Sequence, residues 1–261
     1  MRARVLSGAV LIPAVVAVVW WHPSALAVLV IVGAALTARE LSHLLLRGPR
    51  PHLRALAPAL AALVVALAAV PQSERVWLGT LTAALLAAGL IAQLARTDPH
   101  RFANWALAAA AGGYAGALLG LAVVLRTMPD GFAWTLLALV VTWAYDSLAY
   151  AAGRTVGRHG FMTHISPRKT WEGVAGGTAG SIAATAAFLP FLPIEGWLVV
   201  PLGLAWAAAA QTGDLVASMV KRDAGAKDSG QLIPGHGGML DRVDGLLFVV
   251  PAVFAAAHFI G

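Results

Sequence analysis

The chain has 261 residues, of which 59 % are hydrophobic and 11 % charged, with a mean hydropathy of +0.78. Soluble domains carry roughly 45–50 % apolar and about 25 % charged residues, so a water-facing surface is excluded, and disorder with it. The absence of cysteine excludes disulfides, thiolate zinc sites and cysteine nucleophiles, and the net charge of +6 on so apolar a chain points to membrane topology rather than to nucleic acid.

Nine runs are free of Asp, Glu, Lys and Arg: 5–21, 24–38, 55–70, 76–95, 103–125, 131–145, 173–194, 196–213 and 245–261. A helical span needs about 20 apolar residues. Two shorter runs are expected to continue past a charge, 24–38 through Arg39 and Glu40 and 131–145 through Asp146. Ala, Leu and Val fill the runs without period-2 alternation, which favours helices over a barrel. The expected fold is an all-α integral membrane protein, a polytopic bundle of about nine transmembrane helices with a cytoplasmic N-terminus. That arrangement places 16 of the 18 Lys and Arg on the cytoplasmic side and leaves only Arg75 and Arg126 opposite. Arg2, Arg4 and Ala25-Leu26-Ala27 resemble a cleavable signal peptide, yet the charge pattern works with the first span retained. Trp20 and Trp21 at its far end suit an interfacial anchor.

Loops in the first half are short and punctuated by Pro and Gly. Two cytoplasmic loops of the second half, 153–172 and 215–244, are dense in Lys, Arg, Asp, His and Gly. The chain is therefore expected to divide into N-terminal helices, 1–130, and a catalytic region, 131–261. Asp146 and Asp214 lie at the ends of the sixth and eighth runs, where an ionisable group is costly and suggests function. Glu40, beside Arg39 and near an interface, is read as a surface ion pair.

The second loop places Lys221, Arg222 and Lys227 within seven residues. Asp228 follows, then Pro234-Gly235-His236-Gly237-Gly238 and Asp241-Arg242-Val243-Asp244. Glycine lets backbone amides approach phosphate, Lys and Arg neutralise it, and paired carboxylates suit Mg²⁺ with phosphate oxygens. A basic linker touching lipid headgroups would account for Lys221 and Arg222, but not for Asp228, Asp241 and Asp244 among them. There is no Walker A motif, and the lone His236 argues against zinc. In the first loop, Ser166-Pro167 and Thr170 with Glu172-Gly173 read as the cap and first turn of a helix, with Arg168 and Lys169 beside its start. Gly173, Gly176, Gly177 and Gly180 are spaced for close helix packing.

These residues resemble the phosphatidate cytidylyltransferase (CDP-diacylglycerol synthase) family. The run from Ser218 to Asp244 follows its signature: Ser, Lys-Arg, Lys-Asp, Pro-x-His-Gly-Gly, then Asp-Arg-x-Asp. Ser166 to Gly173 is similar to its Ser-Pro-Lys-Lys-Thr-x-Glu-Gly element, and Asp146 with Ala149-Tyr150 to its Asp-x-x-Ala-Tyr region. The resemblance covers about 143–245. It implies a membrane enzyme joining CTP and phosphatidate into CDP-diacylglycerol and pyrophosphate, dependent on Mg²⁺, dimeric, and working at the cytoplasmic face of the inner membrane. Asp214 and Asp241 correspond to its metal-binding carboxylates. Asp146 is assigned to the metal with them, and Asp228 and Asp244 serve as supporting or alternative ligands. Whether a second cation joins the Mg²⁺ is left open. Lys221, Arg222, Lys227 and Arg242 are expected at the CTP or lipid phosphates, with His236 in the same catalytic set. Ser166, Arg168 and Lys169 complete the anion pocket, and Ser218, Gly237 and Gly238 contact substrate. Two positions depart from the pattern: Ala217 stands where Glu is expected, and Arg168 where Lys is. A CTP-dependent polyprenol or lipid kinase and a CDP-archaeol synthase are the alternatives.

Overall fold

The computed structural model of the chain describes residues 2–46, 48, 50–230 and 237–260, with side chains described from residue 12 onward. Each of the nine apolar runs forms a helix: α1 (Arg2–Trp21), α2 (Pro23–Leu45), α3 (Pro51–Ala69), α4 (Gln72–Ile91), α5 (Arg101–Thr127), α6 (Gly131–Thr155), α7 (Trp171–Ala187), α8 (Val199–Asp223) and α10 (Leu246–Ile260). A single turn, α9 (Leu240–Val243), precedes the last of them. Among the described residues there is no β-strand, and Gly160 and Thr170 form an isolated antiparallel bridge. Seven helices among the described residues are long and apolar enough to cross a membrane. The chain is a polytopic, all-α membrane protein.

Local chemistry sets the helix boundaries. Pro23 and Pro51 occupy first-turn positions, where a missing N–H costs nothing. His22 caps α2 by accepting the Ser24 amide at 3.2 Å. As expected, α2 runs past Arg39 and Glu40 and α6 past Asp146. The run 173–194 leaves the helix after Ala187, with Pro190 and Pro193 following the C-cap Phe188. The expected loop 215–244 begins later than its charges suggest, because α8 continues to Asp223. Leu215, Val216, Met219 and Val220 extend its apolar surface, and Lys221 and Arg222 suit the negative end of a helix dipole.

The chain forms two compact units, one of residues 1–124 and 224–242, the other of residues 125–223 and 243–261. In the first, α3 and α5 meet through small residues. A Cβ at Gly112 would lie 2.5 Å from the Ala57 carbonyl oxygen, and one at Gly116 would lie 2.9 Å from that of Ala61. Asp98, ahead of α5, accepts from the Arg50 guanidinium, from Asn104 Nδ2 (3.1 Å) and from the His100 amide (2.9 Å). The guanidinium beside it holds its carboxyl below the usual carboxylate range. This clamp ties the α2–α3 connection to the α4–α5 connection.

In the second unit, α6 and α7 pack on a glycine face, as the spacing predicts. A Cβ at Gly173 would lie 3.0 Å from the Ala149 carbonyl, one at Gly176 would lie 2.5 Å from Ala152 Cβ, and one at Gly180 would lie 2.9 Å from the Ala144 carbonyl. Gly177 carries the edge of the Tyr145 ring. Gly176→Val is expected to lower stability by about 1–3 kcal/mol through overpacking, whereas Gly113→Ala, with nothing within 4 Å of the new Cβ, should hold or raise it. Thermal unfolding of the two purified variants in detergent checks the contrast.

Candidate active site

Each unit gathers one cluster of charged residues. In the second unit, Asp214, Ser218 and Lys221 recur at i, i+4 and i+7 along α8 and so share a face. Ser218 and Lys221 are buried. Ser218 Oγ donates to Asp214 Oδ1 at 3.3 Å, and Lys169 Nζ lies 2.7 Å from Asp214 Oδ2. Gly213 permits the closest approach, since a Cβ there would overlap the carbonyl oxygen of Asp244. At Gly245 a Cβ would stand 3.0 Å from Thr142 Cγ2 on α6. Small residues thus bring α6, α8 and the start of α10 together, and Asp244 lies within electrostatic range of Asp214, Asp146 and Lys221. Tyr145 donates to Gln211 Oε1 at 2.6 Å, tying the turn before Asp214 to the residue before Asp146.

The loop ahead of α7 is closed on itself. The Phe161 amide donates to the Lys169 carbonyl (2.8 Å) and the Trp171 amide to that of His159 (2.9 Å), while Phe161 meets Trp171 edge to face at 4.5 Å. Glu172 accepts from the amides of Arg158 (3.1 Å) and His159 (3.2 Å) and pairs with His159 Nδ1 at 2.6 Å. The His159 bond, with those amides, holds its carboxyl down to about 2. Thr170 is the N-cap, accepting the Gly173 amide at 3.1 Å. The tight turn around Ser166, closed by the Lys169 amide donating to the Ser166 carbonyl (3.2 Å), carries Lys169 to Asp214. Arg168 is exposed. Arg222, also exposed, donates to the Ile165 carbonyl at 3.4 Å.

The first unit holds the other cluster. Asp241 Oδ2 accepts from the Ser229 amide (3.0 Å) and the Gly238 amide (3.1 Å), and the Ser229 hydroxyl oxygen lies 3.0 Å from it. Gly237 adopts a left-handed φ of 76°, and a Cβ there would lie 2.6 Å from that same oxygen. Here the two glycines shape the seat of a carboxylate. Glu40 joins the cluster, which its neighbours in sequence do not signal. Its side chain is buried and accepts from the Ser229 hydroxyl at 2.6 Å rather than standing at the surface. The acidic side chain inside an apolar run was the one available signal. Lys227, Asp228 and Arg242 are exposed. His236 lies outside the described residues.

The donors suit Mg²⁺. Among the described residues, no three acidic or histidine side chains converge closely enough to hold an ion by themselves. Mg²⁺ is typically held by one or two carboxylates completed by water and substrate phosphates, so a sparse all-oxygen set is what it needs. Each Asp214 oxygen retains a lone pair beyond its bond to Lys169 or Ser218.

The sequence profile of the cytidylyltransferase family matches residues 2–260. The chain belongs to this family. It is 43 % identical over 151 residues to a phosphatidate cytidylyltransferase of Brucella abortus biovar 1 (strain 9-941), covering 54 % of this chain and 56 % of that protein. A phosphatidate cytidylyltransferase of Staphylococcus haemolyticus is 35 % identical over 196 residues, covering 73 % and 75 %, and one of Synechocystis is 44 % identical over 131, covering 49 % and 44 %. The chain thus spans about half the length of the Brucella and Synechocystis relatives it matches.

Thr170→Ala should cost about 1 kcal/mol at the start of α7, while Thr170→Ser retains the cap. Hydrogen exchange at the Gly173 amide reads this out, with exchange faster in the alanine variant alone.

Proposed function

We propose that this chain is a phosphatidate cytidylyltransferase, joining CTP and phosphatidate to give CDP-diacylglycerol and pyrophosphate. The homodimer and the cytoplasm-facing site implied by the resemblance belong to this reading. The observation that carries it is the pairing of acids with cations and donors where α6, α8 and α10 meet: Asp214 between Lys169 and Ser218, with Asp244 and the buried Lys221 beside it. A site for two polyanions must hold phosphate on cations and keep carboxylates for a divalent ion.

An oxygen of the phosphatidate phosphate attacks the α-phosphorus of CTP. The new P–O bond forms as the bond from that phosphorus to the bridging oxygen breaks, and pyrophosphate leaves with the electron pair. A phosphate monoester has a second pKa of about 6, so the nucleophile is largely ionised at neutral pH and needs no strong base. The barrier is repulsion between the substrates and charge growing on the leaving group, which positioning and electrostatics relieve. Lys169, Lys221, Arg222, Lys227 and Arg242 neutralise phosphate, with Arg168 and Ser166 at the same anion pocket. Asp214 in one unit and Asp241 in the other are the proposed Mg²⁺ ligands, each completed by substrate phosphate and water rather than by a third carboxylate, with Asp146, Asp244 and Asp228 as supporting or alternative ligands; the ion would screen the phosphate charges. His236, Ser218, Gly237 and Gly238 complete the set.

Bonded pairs support the alternating topology. Arg50 with Asp98, Glu40 with Ser229, and Lys169 with Asp214 each join segments that the charge pattern assigns to one side. CTP is soluble, so that side faces the cytoplasm. A reporter inserted after Gly225 should be accessible in the cytoplasm only, and exterior labelling would overturn the orientation.

Purified protein given Mg²⁺, phosphatidate and CTP labelled at the α-phosphate should place the label in lipid. Label in CDP would instead mark a lipid kinase. Asp241→Asn and Asp214→Asn should each lower kcat by about 100-fold or more, with insertion into the membrane intact, and EDTA should stop the reaction.

A further inference from the structure

Glu40 is a charged side chain, 9 % exposed, on the apolar helix α2. Its carboxylate accepts three hydrogen bonds from residues far along the chain: the Ser229 hydroxyl (2.6 Å), the Met239 amide (2.7 Å) and the Leu240 amide (2.9 Å). A Cβ at Gly230 would lie 2.9 Å from Oε1, and a Cβ at Gly238 would overlap both Oε2 and Ser229 Oγ. Only glycine fits at Gly238, with Glu40 on one side of it.

Three converging donors require a group that only accepts. A carboxylate qualifies, whereas the amide of glutamine would turn its own NH₂ toward a backbone N–H. The same two short segments also serve the next carboxylate. Ser229, whose hydroxyl bonds Glu40, also meets Asp241 Oδ2 through its amide and hydroxyl, and Gly238, packed on Glu40, gives its amide to Asp241. The Ser229 hydroxyl has one proton between two carboxylates, and the shorter contact assigns it to Glu40. We infer that Glu40 is a positioning residue for the cytidylyl transfer: by fixing Ser229 and the 238–240 backbone, it sets the direction in which Asp241 presents its carboxylate. This rests on the activity proposed above and on Asp241 as a metal ligand within it.

The test uses the full chain, in detergent, in two arms. In the first, Mn²⁺ binding is titrated by electron paramagnetic resonance without substrate. Glu40→Gln should weaken binding by about 10-fold, as loss of a partner to a metal ligand does, while Glu74→Gln, an exposed acid on α4, leaves it unchanged. In the second, Glu40→Gln should lower kcat by about 10–100-fold with KM for CTP changed less than about 3-fold, and a higher Mg²⁺ concentration should recover part of the rate. Adding Ser229→Ala should cost little more, because the two residues act on Asp241 as a unit. Equal Mn²⁺ affinity in wild type and Glu40→Gln, including binding by neither, overturns the inference. So does a rate loss that tracks a lower Tm with unchanged Mg²⁺ dependence, which would mark a fold staple. Wild-type protein that binds Mn²⁺ but makes no CDP-lipid overturns the proposed activity instead, and the first arm still decides the role of Glu40.

Discussion

A carboxylate at the edge of an apolar bundle must be answered by donors, because neither lipid nor packed side chains solvate it. Every feature of the candidate site follows from that requirement. Asp214 is answered by Lys169 and Ser218, Asp241 by Ser229 and Gly238, and Glu40 by Ser229 and two amides of the following turn. Acids bound this way stay aimed, which the proposed phosphoryl transfer needs more than it needs a strong base.

Glycine makes the answers reachable. Gly213 lets α8 approach the carbonyl of Asp244, Gly176 and Gly180 let α7 lie against α6, and Gly238 leaves room for the Glu40 carboxylate while its amide bonds Asp241. In a membrane the driving force for helix association is close packing rather than expulsion of water. The residues that allow packing therefore also bring the charges into register. The glycines of the second motif loop, suited by type to cradling phosphate, are seen here shaping the carboxylate seat.

The charged and glycine positions of the candidate site can be read from residue type, whereas their pairing cannot. Thr170, read with Glu172-Gly173 as the first turn, is instead the N-cap, while Ser166-Pro167, read as the cap, lies in the turn before it; the glycine spacing in α7 does mark a helix contact. Lys169 stood among the expected anion binders, yet its partner within the protein is Asp214. Lys221 and Arg222 are neighbours with the same charge, but one is buried and the other exposed. Glu40 read as a surface ion pair because its nearest charge in sequence is Arg39, and sequence proximity carries no information about a contact 189 residues away.

The amino-acid order alone determined that the chain crosses a membrane and where its nine apolar runs lie. Those properties depend on the apolar length of a segment and on side-chain type, both of which are local. Which acid meets which cation, which of two adjacent cations is buried, and which remote glutamate braces the second motif loop were settled only by tertiary packing. They depend on the angle and depth at which helices meet, and those are set by small-residue contacts distributed across the whole chain.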